Sequence, residues 1–172
     1  VPAKIKDTDH GFKKLMGELG ELGTITIGVQ GQEALSMHPE ANMTVGELAQ
    51  RHELGLGVPQ RSFIRAWFDK HEARLRKETA AELEAVLKGT STRKKSLAAL
   101  GYKWTEEIRE HIDRNEVDGP PLAPATVAKK GHDTKLLGFT YTLRNAVTYK
   151  LFLPQKKSIR DVEQRKAARG QS

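Results

Sequence analysis

His52 and Glu53 stand side by side at the end of a short helical pattern, the residue pair that a zinc hydrolase helix uses when a second histidine follows four positions after the first. Leu56 occupies that position, so the second ligand is missing and His52 reads as a helix-end histidine packed partly against a core. Glu106, Glu107 and Glu110 share one helical face. No histidine or apolar pocket is placed to split their pKa values, so they read as a solvated face and not as an acid and a base. The absence of cysteine excludes thiolate nucleophiles, disulfides and thiolate zinc sites. There is no Gly-x-Ser-x-Gly elbow, and "GVQGQEA" lacks both the lysine of a phosphate loop and the third glycine of a dinucleotide turn. The residue types point away from catalysis. The expectation is a non-enzyme that needs no cofactor and no metal.

The charge suggests what the chain meets instead. Twenty-nine basic against 22 acidic residues give a net charge of +7, which favours an anionic partner, either nucleic acid or an acidic protein surface. Lys156, Lys157, Arg160, Arg165, Lys166 and Arg169, set against Asp161 and Glu163, concentrate four of those seven charges after Pro154. Few aromatics accompany the basic residues and none interleave with this tail, so base stacking is not expected. Contact with a nucleic-acid backbone stays open, and it would be salt-sensitive and blind to sequence. No run approaches the roughly 18 apolar residues of a membrane span, and "VPAKIKDTDHG" lacks the apolar centre of a signal peptide.

The elements that would position these residues follow from periodicity. Phe12, Leu15, Met16, Leu19 and Leu22 mark an opening helix after Thr8 or Asp9. Ile25, Ile27 and Val29 alternate with Thr24, Thr26 and Gly28 as a half-buried strand. Gly31 to Asn42 reads as a surface loop. Thr44 and Glu47 form a capping box for a short helix with Val45, Leu48, Ala49 and His52 on one face, ending near Gly55. From about Ser62 a long charged helix runs to Gly89 with Ile64, Phe68, Leu75, Leu83 and Val86 as its stripe, and Trp67 widens its apolar end. A further helix carries Leu97, Leu100, Trp104, Ile108 and Ile112. Pro120, Pro121 and Pro124 make a stiff connector, with one helical turn from Pro124 to Lys130. The Pro121 and Pro124 pair fits a weak groove-docking pattern, but reads better as that connector. "LRNAVTYKLFLP" is a turn into a last strand with Val147, Tyr149, Leu151 and Leu153 on one face. Two strands at opposite ends predict an α+β fold, a small antiparallel sheet packed against two or three helices with extended termini. The organisation expected is an arm at 1–8, a single domain at 9–154 and a basic arm at 155–172.

Several stretches match one family in order. "TITIGVQGQEA", "MTVGELAQRHELGLGVPQRSFIRAWFD", "LAALGYKWTEEIREHI", "PPLAPATVAKKG" and "KLLGFTYTLRNAVTYKL" together resemble the tail-completion or neck proteins of tailed bacteriophages, the virion-morphogenesis type, over about Thr24 to Leu153. The resemblance rests on His52, Glu53 and Gly55, then Pro59, Arg61 and Phe63, then Pro121, then Leu143 and Arg144. Leu54 stands where that family usually has an aromatic, and "GFTYTLRN" replaces its usual lead-in to the last strand. The resemblance implies a non-catalytic ring of six copies at the virion neck, assembled in the host cytoplasm. It would meet a tail terminator, tail tube or head-completion protein, with DNA passing through its lumen and no membrane contact. In that setting the glycines would let the loop turn, Pro59 would stiffen it and Phe63 would anchor the helix, while Arg61 and Arg65 faced a neighbouring subunit. The basic residues of the 155–172 arm would bind an acidic ring or DNA. A different class, a small sequence-nonspecific DNA-binding protein, accounts for the same charge.

Overall fold

The computed structural model describes residues 23–39, 41–138 and 141–153. Within them the chain runs β1 (Thr24–Val29), α1 (Gln32–Leu35), α2 (Val45–Leu54), α3 (Arg65–Leu87), α4 (Arg93–Asp113), α5 (Pro124–Lys130), α6 (Thr142–Asn145) and β2 (Val147–Phe152). The two strands pair antiparallel, Thr24 opposite Phe152 and Val29 opposite Val147, so the expected α+β fold with a small antiparallel sheet backed by helices is what forms. The expected opening helix and both terminal arms lie outside the described residues.

The alternation of β1 turns Ile25, Ile27 and Val29 toward the core, and Val147 of β2 is fully buried there. A two-stranded ribbon is marginal without something packed on it. Here the backing is α4, whose Leu100, Trp104, Ile108 and Ile112 recur at the spacing of one helical face and are all buried. Thr92 starts this helix by accepting a hydrogen bond from the Lys95 amide. Gly101 brings its backbone down onto the sheet. A methyl group at that position would lie 2.5 Å from the ring of Tyr149 on β2.

On its other side α4 packs against α3 through both apolar and polar contacts. Phe68 meets the Trp104 ring edge-to-face at 6.2 Å, and Trp67 meets Phe68 at 5.1 Å. The Trp104 indole N–H and Lys103 both donate to Glu78, at 2.8 and 2.9 Å. Arg74 bonds Glu78 within its own helix and Glu107 across the gap. Burial alone raises the Glu78 carboxyl, but the bonds from Lys103, Trp104 and Arg74 outweigh it and leave the pKa at about 2. Glu107 is thus not part of a purely solvated face, as its position in the sequence suggested. It is a half-buried tie between helices, because Arg74 approaches from a segment 33 residues away.

Two other expectations change. Gly31 to Asn42 is not a plain loop: four of its residues form α1, and Met37 bridges Thr44. The stripe of α3 fades at its far end, where Leu83 and Leu87 are exposed. The connector after α4 is held at both ends. Val117 and Leu136 are buried, Lys135 Nζ donates to the Val117 carbonyl at 2.5 Å, and its amide donates to Asn115 Oδ1.

Phe63, fully buried where α3 enters the core, is expected to cost about 3–5 kcal/mol when truncated to alanine. A urea-denaturation midpoint close to that of the wild type would show that it is not a core anchor. Gly101→Ala should destabilise by about 2 kcal/mol, an overpacking cost of roughly 3 less about 1 regained in helix propensity. In a Tyr149→Ala background the same change should reverse sign and stabilise, which a double-mutant cycle measures.

Candidate interface joint

The turn between α2 and α3 is built around one carboxylate. α2 starts at the expected capping box, in which Thr44 accepts from the Glu47 amide while Glu47 accepts from the Thr44 amide. It ends at Gly55, whose φ of 73° is the left-handed conformation glycine adopts freely. The chain then doubles back. The Arg61 amide donates to the His52 carbonyl at 2.8 Å, and Gln60 Nε2 donates to the Glu53 carbonyl.

This return sets the Glu53 side chain against the start of α3. Oε1 accepts from Ser62 Oγ at 2.7 Å and from the Arg65 amide at 3.0 Å; Oε2 accepts from the amides of Phe63 at 2.9 Å and Ile64 at 3.2 Å. Ser62 Oγ in turn accepts from the Ala66 amide. Ile64, the residue at the cap position, has no side chain that can do this. Glu53 supplies the cap from nine to twelve residues upstream, satisfying donors that a helix start leaves open and placing negative charge at the positive end of the helix dipole. Burial by itself raises its pKa, but the four bonds from Ser62, Arg65, Phe63 and Ile64 bring it below the ordinary carboxylate value.

Arg61 and Arg65 part company here. The expectation that both face a neighbour fails for Arg61, which is only 6% exposed. Its carbonyl-side neighbours join α3 and its amide is tied to His52, so its side chain turns inward beneath the 118–120 segment and Nη2 donates to the Pro120 carbonyl at 3.4 Å. Gly119 seals that contact at φ 111°; a methyl group there would sit 2.3 Å from the Gln60 carbonyl oxygen. Arg65 does reach the surface, beside a cleft of about 330 Å³ lined also by Gln60, Ser62, Asp69, Asp118 and Gly119.

The other motif residues divide into anchors and surface. Phe63 and Leu143 are buried, while Pro59 and Pro121 are exposed. Arg144 forks onto Asp113 at the end of α4, with Nη2 to Oδ2 at 2.9 Å, and those hydrogen bonds raise its pKa above the usual guanidinium value. His52 is half-buried with its Nδ1 lacking a partner, and desolvation followed by the charges of Arg61 and Lys130 lowers it to about 4. Lys156, Lys157, Arg160, Arg165, Lys166 and Arg169 lie outside the described residues.

A second cluster escaped the sequence reading. Trp67, His71, Glu107, Glu110, His111, Arg114 and Glu116 line a cavity of about 270 Å³ between α3 and α4. His111 is pushed down by burial, which outweighs the opposing effect of Glu116, and His71 Nδ1 donates to the Trp67 carbonyl. The helical spacing of His71 and His111 against the two tryptophans is the signal that marks them as inward-facing. Among the described residues no three histidine, aspartate or glutamate side chains are grouped to hold a metal ion, and no helix is long and apolar enough to cross a membrane. No family model, no curated protein and no solved structure matches the chain.

Acid should loosen this joint in two stages. The folded-state pKa of His52 lies below its unfolded value of 6.5, so the unfolded chain binds the extra proton and stability falls as pH drops from about 6.5 toward 4. The Glu53 carboxyl is also held low when folded, so its contribution is present above its unfolded value near 4.5 and is lost as pH falls through its lower folded pKa. His52→Gln should lessen the first stage, to which the lowered His111 also contributes, and Glu53→Gln the second, to which Glu78 also contributes. Denaturant midpoints between pH 8 and 3 follow both; coincident profiles for wild type and His52→Gln would refute the assignment.

Proposed function

We propose that this chain is a structural virion protein of the phage neck, which completes the tail end or head-tail junction and joins head and tail components as a ring. The observation that carries the reading is that motif stretches far apart in the sequence meet in one body. The 52–63 stretch packs under Gly119 and Pro120, next to Pro121, and Leu143 is buried within the same hydrophobic core as Phe63. The arrangement supports an assembly role in two further ways. A two-stranded sheet offers unpaired edges to a neighbour. Leu35, Met37, Leu54 and Leu56 also stand exposed on α1 and around the α2 end, apolar surface of the kind that subunit contacts cover.

In this reading the joint is held rigid before docking, so little conformational entropy is lost when subunits meet. Arg65 at its rim, and the basic residues from Lys156 to Arg169, are the contacts assigned to neighbouring rings or to lumen DNA. The partners are further copies, six to a ring, and the adjoining tail terminator, tail tube or head-completion protein; the site of action is the virion neck.

Mass photometry and negative-stain microscopy of the full chain, with and without duplex DNA and from low to high salt, test the proposal. Rings that persist at high salt are the expected result. A monomer at every concentration that forms only salt-sensitive DNA complexes would overturn it in favour of the sequence-nonspecific DNA-binding protein.

A further inference from the structure

An apolar groove of about 180 Å³ lies between the end of α3 and the start of α4, with Leu83, Val86, Leu97, Leu100 and Gly23 in its lining. Leu83 is 39% exposed there, although it continues the stripe that buries Leu75. Gly23 is the first described residue, and its backbone is pressed onto a wall of this groove. A methyl group at that position would lie 2.6 Å from Leu97 Cδ1 and 2.9 Å from Leu153 Cδ2. The stretch of sequence that joins the structure at this point carries Phe12, Leu15, Met16, Leu19 and Leu22 at the spacing of one helical face, with Lys13, Lys14, Glu18 and Glu21 set between them. An uncovered apolar groove and an apolar stripe thus meet at one peptide bond.

We propose that residues 9–22 of the same chain dock in this groove as an amphipathic helix, laying the Phe12 to Leu22 stripe on Leu83, Val86 and Leu97. The lengths agree: as a helix, Phe12 to Leu22 advances about 15 Å, and the part of α3 that lines the groove, Thr79 to Val86, about 10 Å. Gly17 and Gly20 lower the helix propensity of so short a segment, so it depends on burial of its stripe for stability, and the groove supplies that burial. Attachment decides the occupant. Leu22 is bonded directly to Gly23, which holds the segment at the groove at an effective concentration on the order of millimolar, a level that a second copy reaches only in millimolar protein. Docking completes the stripe of α3 and covers apolar surface that the described residues leave open. It requires no other subunit and is independent of ring formation.

Because the sequence has no cysteine, introduced thiols report without background. In the full chain at low protein concentration, Leu19→Cys paired with Leu83→Cys should be joined within one molecule by a short bismaleimide. Leu19→Cys paired with Asp69→Cys, about 21 Å back along α3, should be joined more slowly by roughly tenfold or more. Equal rates for the two pairs would mean an undocked segment, and cross-linked dimers from the first pair would mean that a second copy fills the groove; either result overturns the proposal. Thermal melts of the full chain with Leu19→Asp, Leu83→Asp and both decide the matter even if a cysteine pair does not fold. Each single change should lower Tm by about 3 °C, and the double variant should fall little further, since either change alone releases the segment. Strictly additive losses, or no loss from Leu19→Asp, would also overturn it.

Discussion

The Glu53 carboxylate at the start of α3 is the interaction on which the rest of the structure depends. A 23-residue helix whose own cap position is isoleucine begins with unsatisfied amides at the edge of the core. Left buried without a partner, those amides would be costly. Glu53 takes three backbone donors and the Ser62 hydroxyl on its two oxygens. Because the acid belongs to α2, the same contact fixes the path of the intervening loop and the angle at which the two helices meet. Phe63 can be fully buried only because its amide is satisfied there.

From that joint the order propagates along α3 to α4. Phe68 packs on Trp104 between these helices, and Arg74, Glu78, Lys103 and Glu107 add polar ties across the same gap. Exposed ion pairs of this kind contribute little singly, but Glu78 is more than an exposed partner, since it also accepts from a buried indole N–H. The pairing is directional where apolar contact is not, and it sets the register of one helix on the other. α4 then presents Gly101 and its buried stripe to the sheet, so a strand pair too small to stand alone is held between its hydrogen bonds and one helix face.

What the sequence made legible was local. The alternation of β1, the capping box at Thr44 and Glu47, and the helix ends at Gly55 and near Gly89 come from neighbouring residues and appear as expected, and the antiparallel pairing of β1 with β2 follows from there being two strands at opposite ends of the domain. The Glu53 cap did not, because its partners lie nine to twelve residues on and no periodicity connects them. Ser62 was the available clue, a hydroxyl just ahead of a helical pattern, and it bonds both Glu53 and Ala66. The inward turn of Arg61 was equally out of reach: it depends on a strap almost 60 residues later, and in a loop no period tells inside from outside. Leu83 shows the converse failure, a position of the right period that nonetheless stands exposed.

The division between Arg61 and Arg65 changes how the joint is to be understood. Two arginines one turn apart look interchangeable in a sequence, yet here one amide serves the fold-back onto His52 and the other serves the Glu53 cap. Arg65 is free to meet whatever approaches the cleft, while Arg61 is committed to the interior beside His52. A surface arginine can be exchanged for lysine with little loss, but a buried one depends on its fork and on the groups facing it. The two positions are therefore constrained by different physics: solvent and the rim of the cleft at Arg65, and the fit of a buried guanidinium under the Pro120 carbonyl at Arg61.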